Sequence, residues 1–160
     1  MLIPAIVFYD VVLFVHVLAV VLAFGVVFAY PLLEAYIRRT SPGDLVVLHR
    51  AQVFLTRRLI TPSMVVILAA GLYLALDRWS LGDAWISSTF TILIVIFGLV
   101  GAVVTPTERR CAELAEADRR AGGGPSDAYE AQARKLTASG GFVLLLVVVA
   151  IFLMTVKPGA

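Results

Sequence analysis

Four long runs of this chain contain no aspartate, glutamate, lysine or arginine: residues 11–33, 59–76, 84–105 and 136–156. A helix needs ~20 largely apolar residues to cross a hydrocarbon layer ~30 Å thick, and these runs meet or approach that length. None alternates strictly between apolar and polar positions. Helices are therefore the spanning structure expected, because they satisfy every backbone N–H and C=O within one segment. With 61% of residues apolar and 15% charged, the 160-residue chain departs from an ordinary water-soluble composition in the direction of a membrane protein. The fold class expected is an all-α membrane protein, a single four-transmembrane-helix bundle whose solvent-facing segments are residues 34–58 and 106–135. No basic residue precedes the first run, so it is expected to be a retained span and not a secretory signal.

Arginine placement sets the expected orientation. Arg38, Arg39, Arg50, Arg57 and Arg58 separate runs one and two; Arg109, Arg110, Arg119, Arg120, Arg134 and Lys135 separate runs three and four. Eleven of the 13 basic residues thus fall on one side, and only Arg78 and Lys157 on the other. The positive-inside tendency makes the arginine-rich side cytoplasmic and both termini extracytoplasmic, in a cell inner (plasma) membrane. Tyr9, Trp79 and Trp85 are expected to mark the outer interface, and Tyr30 and Tyr36 the inner one. Residues 77–83 form a short turn, which predicts an antiparallel hairpin of spans two and three. Ser41-Pro42-Gly43-Asp44 reads as a turn with Asp44 as an N-cap, and Leu45, Leu48, Gln52 and Leu55 recur at helical spacing after it. Pro62 is expected to kink the second span. Residues 107–120 extend the third as an amphipathic helix with Glu116 and Arg120 paired. The run Gly122-Gly123-Gly124-Pro125 breaks that helix, and Ser126 starts the next.

Within lipid, helices approach closely where small residues recur four apart. Ala19/Ala23, Gly25/Ala29, Gly71/Ala75 and Gly98/Ala102 supply such pairs, and Ser139-Gly140-Gly141 a small cluster. His16 is the one titratable group well inside a run, and it shares a helix face with Ala19 and Ala23, so it should point into the bundle. Three readings are open for it. It is a neutral imidazole bonded to a neighbour such as Thr89 or Thr91, an axial ligand to haem b, or part of a proton or metal-ion relay.

The remaining candidates are weaker. His49 lies in the basic segment and is expected to be solvated or headgroup-facing beside Arg50. Met64 and Met154 fall near opposite ends of their spans, which argues against a His/Met cluster for a soft metal. Cys111 stands alone, without a metal-binding spacing. Arg38, Arg39, Arg57 and Arg58 adjoin the spans and could meet anionic lipid headgroups. A net charge of +2 points away from nucleic acid. No catalytic set and no metal site is indicated.

The segment from His16 to Gly25, a histidine followed by small aliphatic residues and a glycine nine positions on, resembles the opening helix of a group of small membrane proteins. The group includes the copper-resistance D family and the predicted integral membrane proteins of domain-of-unknown-function family 2269. Pro62 with Gly71, and Thr105-Pro106 before Glu108-Arg109-Arg110, favour the latter. The chain is also distantly similar to the membrane protoporphyrinogen oxidases, in which a first-helix histidine ligates haem; His16 matches that histidine, whereas Leu32 stands where the family has a basic residue. The expected function is binding of haem or another apolar ligand in the bundle through His16. A structural or assembly subunit, alone as a homo-oligomer or with another membrane protein, is the alternative, and a small-solute or ion transporter the third. In each case the lipid bilayer is the immediate partner.

Overall fold

The computed structural model describes residues 8–159, and all regular structure among them is helical. Helix α1 is Phe8–Thr40. A short 3-10 turn, Pro42–Asp44, leads into α2 (Leu45–Leu55), which passes through a π-helical turn, Thr56–Ile60, into α3 (Thr61–Arg78). Helix α4 (Ala84–Leu99) likewise passes through a π turn, Val100–Val104, into α5 (Thr105–Arg120), and α6 (Asp127–Val156) completes the chain. The result is four continuous rods, Phe8–Thr40, Pro42–Arg78, Ala84–Arg120 and Asp127–Val156, each long and apolar enough to cross a membrane. Their lengths exceed what crossing requires: the 33 residues of α1 rise ~50 Å. The surplus projects at the arginine-rich end, so segments expected as cytoplasmic loops are largely helical.

Each π turn has a covalent cause. The steps Thr61-Pro62 and Thr105-Pro106 follow them directly. Proline has no N–H to give the carbonyl four residues back, and its ring collides with that carbonyl, so the helix widens by one residue just before it. The Thr105 hydroxyl, reaching back five residues to the Val100 carbonyl at 2.8 Å, ties down the second of these turns. Before Pro62, where a kink is expected, the helix thus changes register locally.

At the helix ends, Ser126 caps α6 by accepting the Tyr129 N–H at 3.3 Å, and Asp118 accepts the Ser126 N–H at 2.9 Å. Gly122 adopts φ +70°, a left-handed conformation that suits glycine, where α5 stops. Asp44 occupies the N-cap of α2 but makes no capping bond through its side chain, because the 3-10 turn before it already supplies carbonyls: Leu45 N–H bonds to Pro42. Glu116 and Arg120 pair at 2.9 Å as their spacing implies.

The short turn between α3 and α4 joins rods two and three as an antiparallel hairpin, which closes mainly at the arginine-rich end, where α2 packs on α5. Helix α1 packs on α3 and α4 on α6, while α3 and α4 approach less closely. They meet at the turn end, where Ala75, Trp85 and Ile86 form a small cluster, and again through side chains in the central core. The buried alanines Ala19 and Ala23 explain the first pairing, since they bring the α1 and α3 backbones together. Gly25 and the Gly98/Ala102 pair, by contrast, face outward. A central core of Ala23, Met64, Ile67, Ile96 and Val147 joins the two pairs at mid-height. A second core lies at the arginine-rich end, where α2, α5 and the start of α6 enclose Leu45, Val46, Cys111, Tyr129 and Ala133. Above and below the central core, the pairs stand apart and leave cavities.

Candidate functional site

His16 is buried (6% exposed) and faces the cavity at the termini end, which has a volume of about 330 Å³. The cavity is walled by Leu13, Ile67, Leu74, Phe90 and Leu93, with Gly71 and Ala75 giving it width. The imidazole lies against the Ile67 backbone, yet its Nδ1 is buried without a hydrogen-bond partner. Neither threonine considered as its partner fills that role. Thr89 lines the same cavity but donates to the Trp85 carbonyl at 2.7 Å, and Thr91 is exposed and donates to Ser87 at 2.9 Å. In a helix, a threonine hydroxyl finds the carbonyl four residues back more readily than a side chain on another helix.

Trp85 stands on the opposite wall. Expected as an interface marker, it is instead 8% exposed, and its indole Nε1 is a second buried atom without a partner. At the rim its ring meets Trp79 edge-to-face, with centroids 5.2 Å apart. The Lys157 ammonium lies 4.4 Å from the Trp79 centroid, and the Arg78 guanidinium 3.8 Å from that of Tyr9, so cations cover the aromatic faces here. Met154, at the termini end of its span as its position implies, lines the same cavity, because α6 runs antiparallel to α4 and returns to this end. Among the described residues, no group of three His, Cys, Asp or Glu side chains stands close enough to hold a metal ion.

Gly71 sets the position of the His16 ring. A β-carbon built there would stand 3.1 Å from His16 Cε1 and 3.5 Å from Nδ1, closer than carbon atoms ordinarily pack. Gly71→Ala should therefore displace the ring by a few tenths of an ångström. In an NMR spectrum the His16 ring signals should move and those of His49 should not; unmoved His16 signals would refute the contact.

The arginine-rich end holds a different set of polar groups. His49, expected in solvent, is fully buried in the second core. Its Nδ1–H donates to Gln52 Oε1 at 2.7 Å, and its Nε2 accepts the Tyr129 hydroxyl proton at 2.8 Å. Gln52 Oε1 can only accept, which fixes the neutral tautomer. The correction has a simple origin: helical periodicity puts His49 on the face of α2 shared by Leu45, Val46 and Gln52, and α5 and α6 cover that face. Burial lowers the His49 pKa and raises that of the Cys111 thiol to about 12, so both stay uncharged at neutral pH. Arg38 turns inward, pairing with Glu34 at 2.9 Å and Glu130 at 2.6 Å and covering the Tyr129 ring. Arg39, Arg57 and Arg58 are exposed, the latter two within the first π turn.

A second cavity, of about 170 Å³, opens between the two cores and carries Tyr30, Gln52, Thr56 and Glu108 on its wall. Tyr30, expected at the interface, has its hydroxyl buried here without a partner. Glu108 is 3% exposed and accepts one bond, from the Thr56 hydroxyl at 3.2 Å. The signals that locate these groups in the sequence are the two Thr-Pro steps, whose π turns carry Thr56 and precede Glu108.

A family model described as "Predicted integral membrane protein (DUF2269)" matches residues 10–158. No curated protein and no solved structure matches the chain.

Proposed function

Because the chain belongs to DUF2269, a family of predicted integral membrane proteins, and leaves two side chains beside one cavity each with a polar atom lacking a hydrogen-bond partner, we propose that it is a membrane-embedded binding protein. Its ligand is an apolar molecule carrying hydrogen-bond acceptors, held between His16 and Trp85. The orphaned pair is the observation that supports this reading. Each buried, unsatisfied group costs about 1–3 kcal/mol, and a ligand that partners both recovers that cost on binding. An indole N–H can only donate, so the ligand presents an acceptor to Trp85; a neutral imidazole can donate or accept. Leu13, Leu74 and Leu93 would enclose the apolar body, and Lys157 at the rim suits a negative or carbonyl end. The packed central core beneath the cavity favours binding over conduction. The arginine distribution supports a cytoplasmic arginine-rich end and an inner-membrane location, which would open this cavity toward the outer leaflet.

Haem b is one ligand of this class. The His16 imidazole would serve as the axial ligand, Lys157 would meet a propionate, and bound haem would supply one-electron chemistry. The test is purification in mild detergent, followed by visible spectra and mass spectrometry of an organic extract. A stoichiometric apolar compound should accompany the wild type and decline about tenfold in Trp85→Phe and in His16→Leu. Both variants should melt no lower than the ligand-free wild type, since each removes an unsatisfied group. A Soret band absent from haem-replete cells excludes haem alone. A ligand retained equally by both variants, or none extracted from any preparation, overturns the proposal.

A further inference from the structure

The smaller cavity at the arginine-rich end has its own charge imbalance. Its ionisable wall groups are Tyr30 and Glu34 from α1 and Glu108 from α5; α2 with its π turn contributes Gln52 and Thr56, and α6 contributes Thr137 and two glycines. Glu34 is neutralised by Arg38, which Glu130 also engages. Among the described residues, Glu108 forms no ion pair. Behind the wall stand His49 and Cys111, both uncharged. The site thus holds one buried carboxylate without a counter-charge, and beside it a buried phenolic oxygen without a partner. The rest of the wall is hydrocarbon: Phe24, Val27, Ile60, Val100 and Leu144.

We propose that this cavity binds a small organic ammonium ion, whose charge pairs with Glu108 and whose N–H groups reach the Tyr30 hydroxyl. Three observations fix the class. The missing charge is positive. The ligands are too few for a hard metal ion, which takes six or more oxygens or keeps several waters. The volume is that of one aromatic ring: an apolar protein cavity of ~150 Å³ holds benzene. Access is through α6, where β-carbons added at Gly140 or Gly141 would meet nothing within 4 Å. The two π turns flank the site, and such turns occur frequently where helices carry function.

Benzylammonium and its neutral isostere benzyl alcohol test the proposal, by titration into the full chain in lipid nanodiscs. At pH 8 benzylammonium should bind at least tenfold more tightly than benzyl alcohol, and Glu108→Gln should abolish that difference by weakening benzylammonium. Gly140→Leu, which fills the opening and leaves the charge in place, should weaken both. In the wild type, benzylammonium binding should fall about tenfold from pH 8 to pH 6 as the carboxylate takes up a proton. The pH series stands even if a variant fails to fold. Equal binding of the two probes, no binding of either, or a benzylammonium affinity indifferent to both pH and Glu108→Gln overturns the proposal.

Discussion

Replacing His49 by alanine should destabilise the protein by about 4 kcal/mol, lowering its melting temperature in detergent by on the order of 10 °C. The substitution strands two buried groups at once, the Gln52 amide oxygen and the Tyr129 hydroxyl, each at about 1–3 kcal/mol. It also opens a void in a core that has no solvent to fill it. Tyr129→Phe removes only one of the two bonds and should cost about half as much. The pH dependence has a definite sign. Burial lowers the folded-state pKa of His49, so the unfolded chain takes up the proton more readily. The stability this residue contributes is therefore present above its ordinary value near 6.5 and is lost as pH falls below it. Thermal melts of wild type and His49→Ala between pH 8 and pH 5 check this: the gap between them should narrow on acidification. A constant gap would mean that His49 does not hold its neutral, doubly bonded state.

Glu108 should produce the opposite slope. Burial raises its folded-state pKa from 4.5 to about 7, with the Thr56 hydroxyl opposing only in part. The folded state then binds the proton more tightly than the unfolded chain. The stability linked to Glu108 is complete at acid pH and declines as pH rises through the interval from 4.5 to about 7, by about 3 kcal/mol in all. Glu108→Gln keeps the shape and removes the titration, so it should match the wild type near pH 5 and exceed its melting temperature at pH 8 by on the order of 8 °C. A variant less stable than wild type at pH 8 would indicate that the carboxylate already has a counter-charge. Keeping an ionised group that weakens the fold at neutral pH is the trade expected of a binding site, where stability and function pull apart.

Much of this architecture is legible in the chain because its causes are local. The four charge-free runs require helices wherever lipid is the solvent. Ser126, the glycine run before it and the Glu116–Arg120 spacing act within one or two turns, and each behaves as its chemistry implies. His16 could be turned inward from the alanines on its own face. The misplaced residues share another cause. His49, in the basic segment beside Arg50, reads as solvated, but a charged segment that folds into a helix still has a covered face, and the covering helices arrive from more than 50 positions away. Tyr30 and Trp85 look like interface aromatics by position; which way such a ring turns depends on whether a neighbouring helix stands off and leaves a cavity.

By itself, the order of residues determined the solvent, the number of crossings, the segregation of arginine and the two Thr-Pro steps that widen the helices. Those follow from hydrocarbon length, backbone hydrogen bonding and the geometry of proline, which need no distant partner. The tertiary structure alone decided that α1 pairs with α3 and α4 with α6, and that the spaces between the pairs expose one imidazole, one indole, one phenol and one carboxylate without sufficient partners. Whether a buried polar atom is satisfied depends on what other helices bring within about 3 Å of it, and that is a property of packing, not of sequence position.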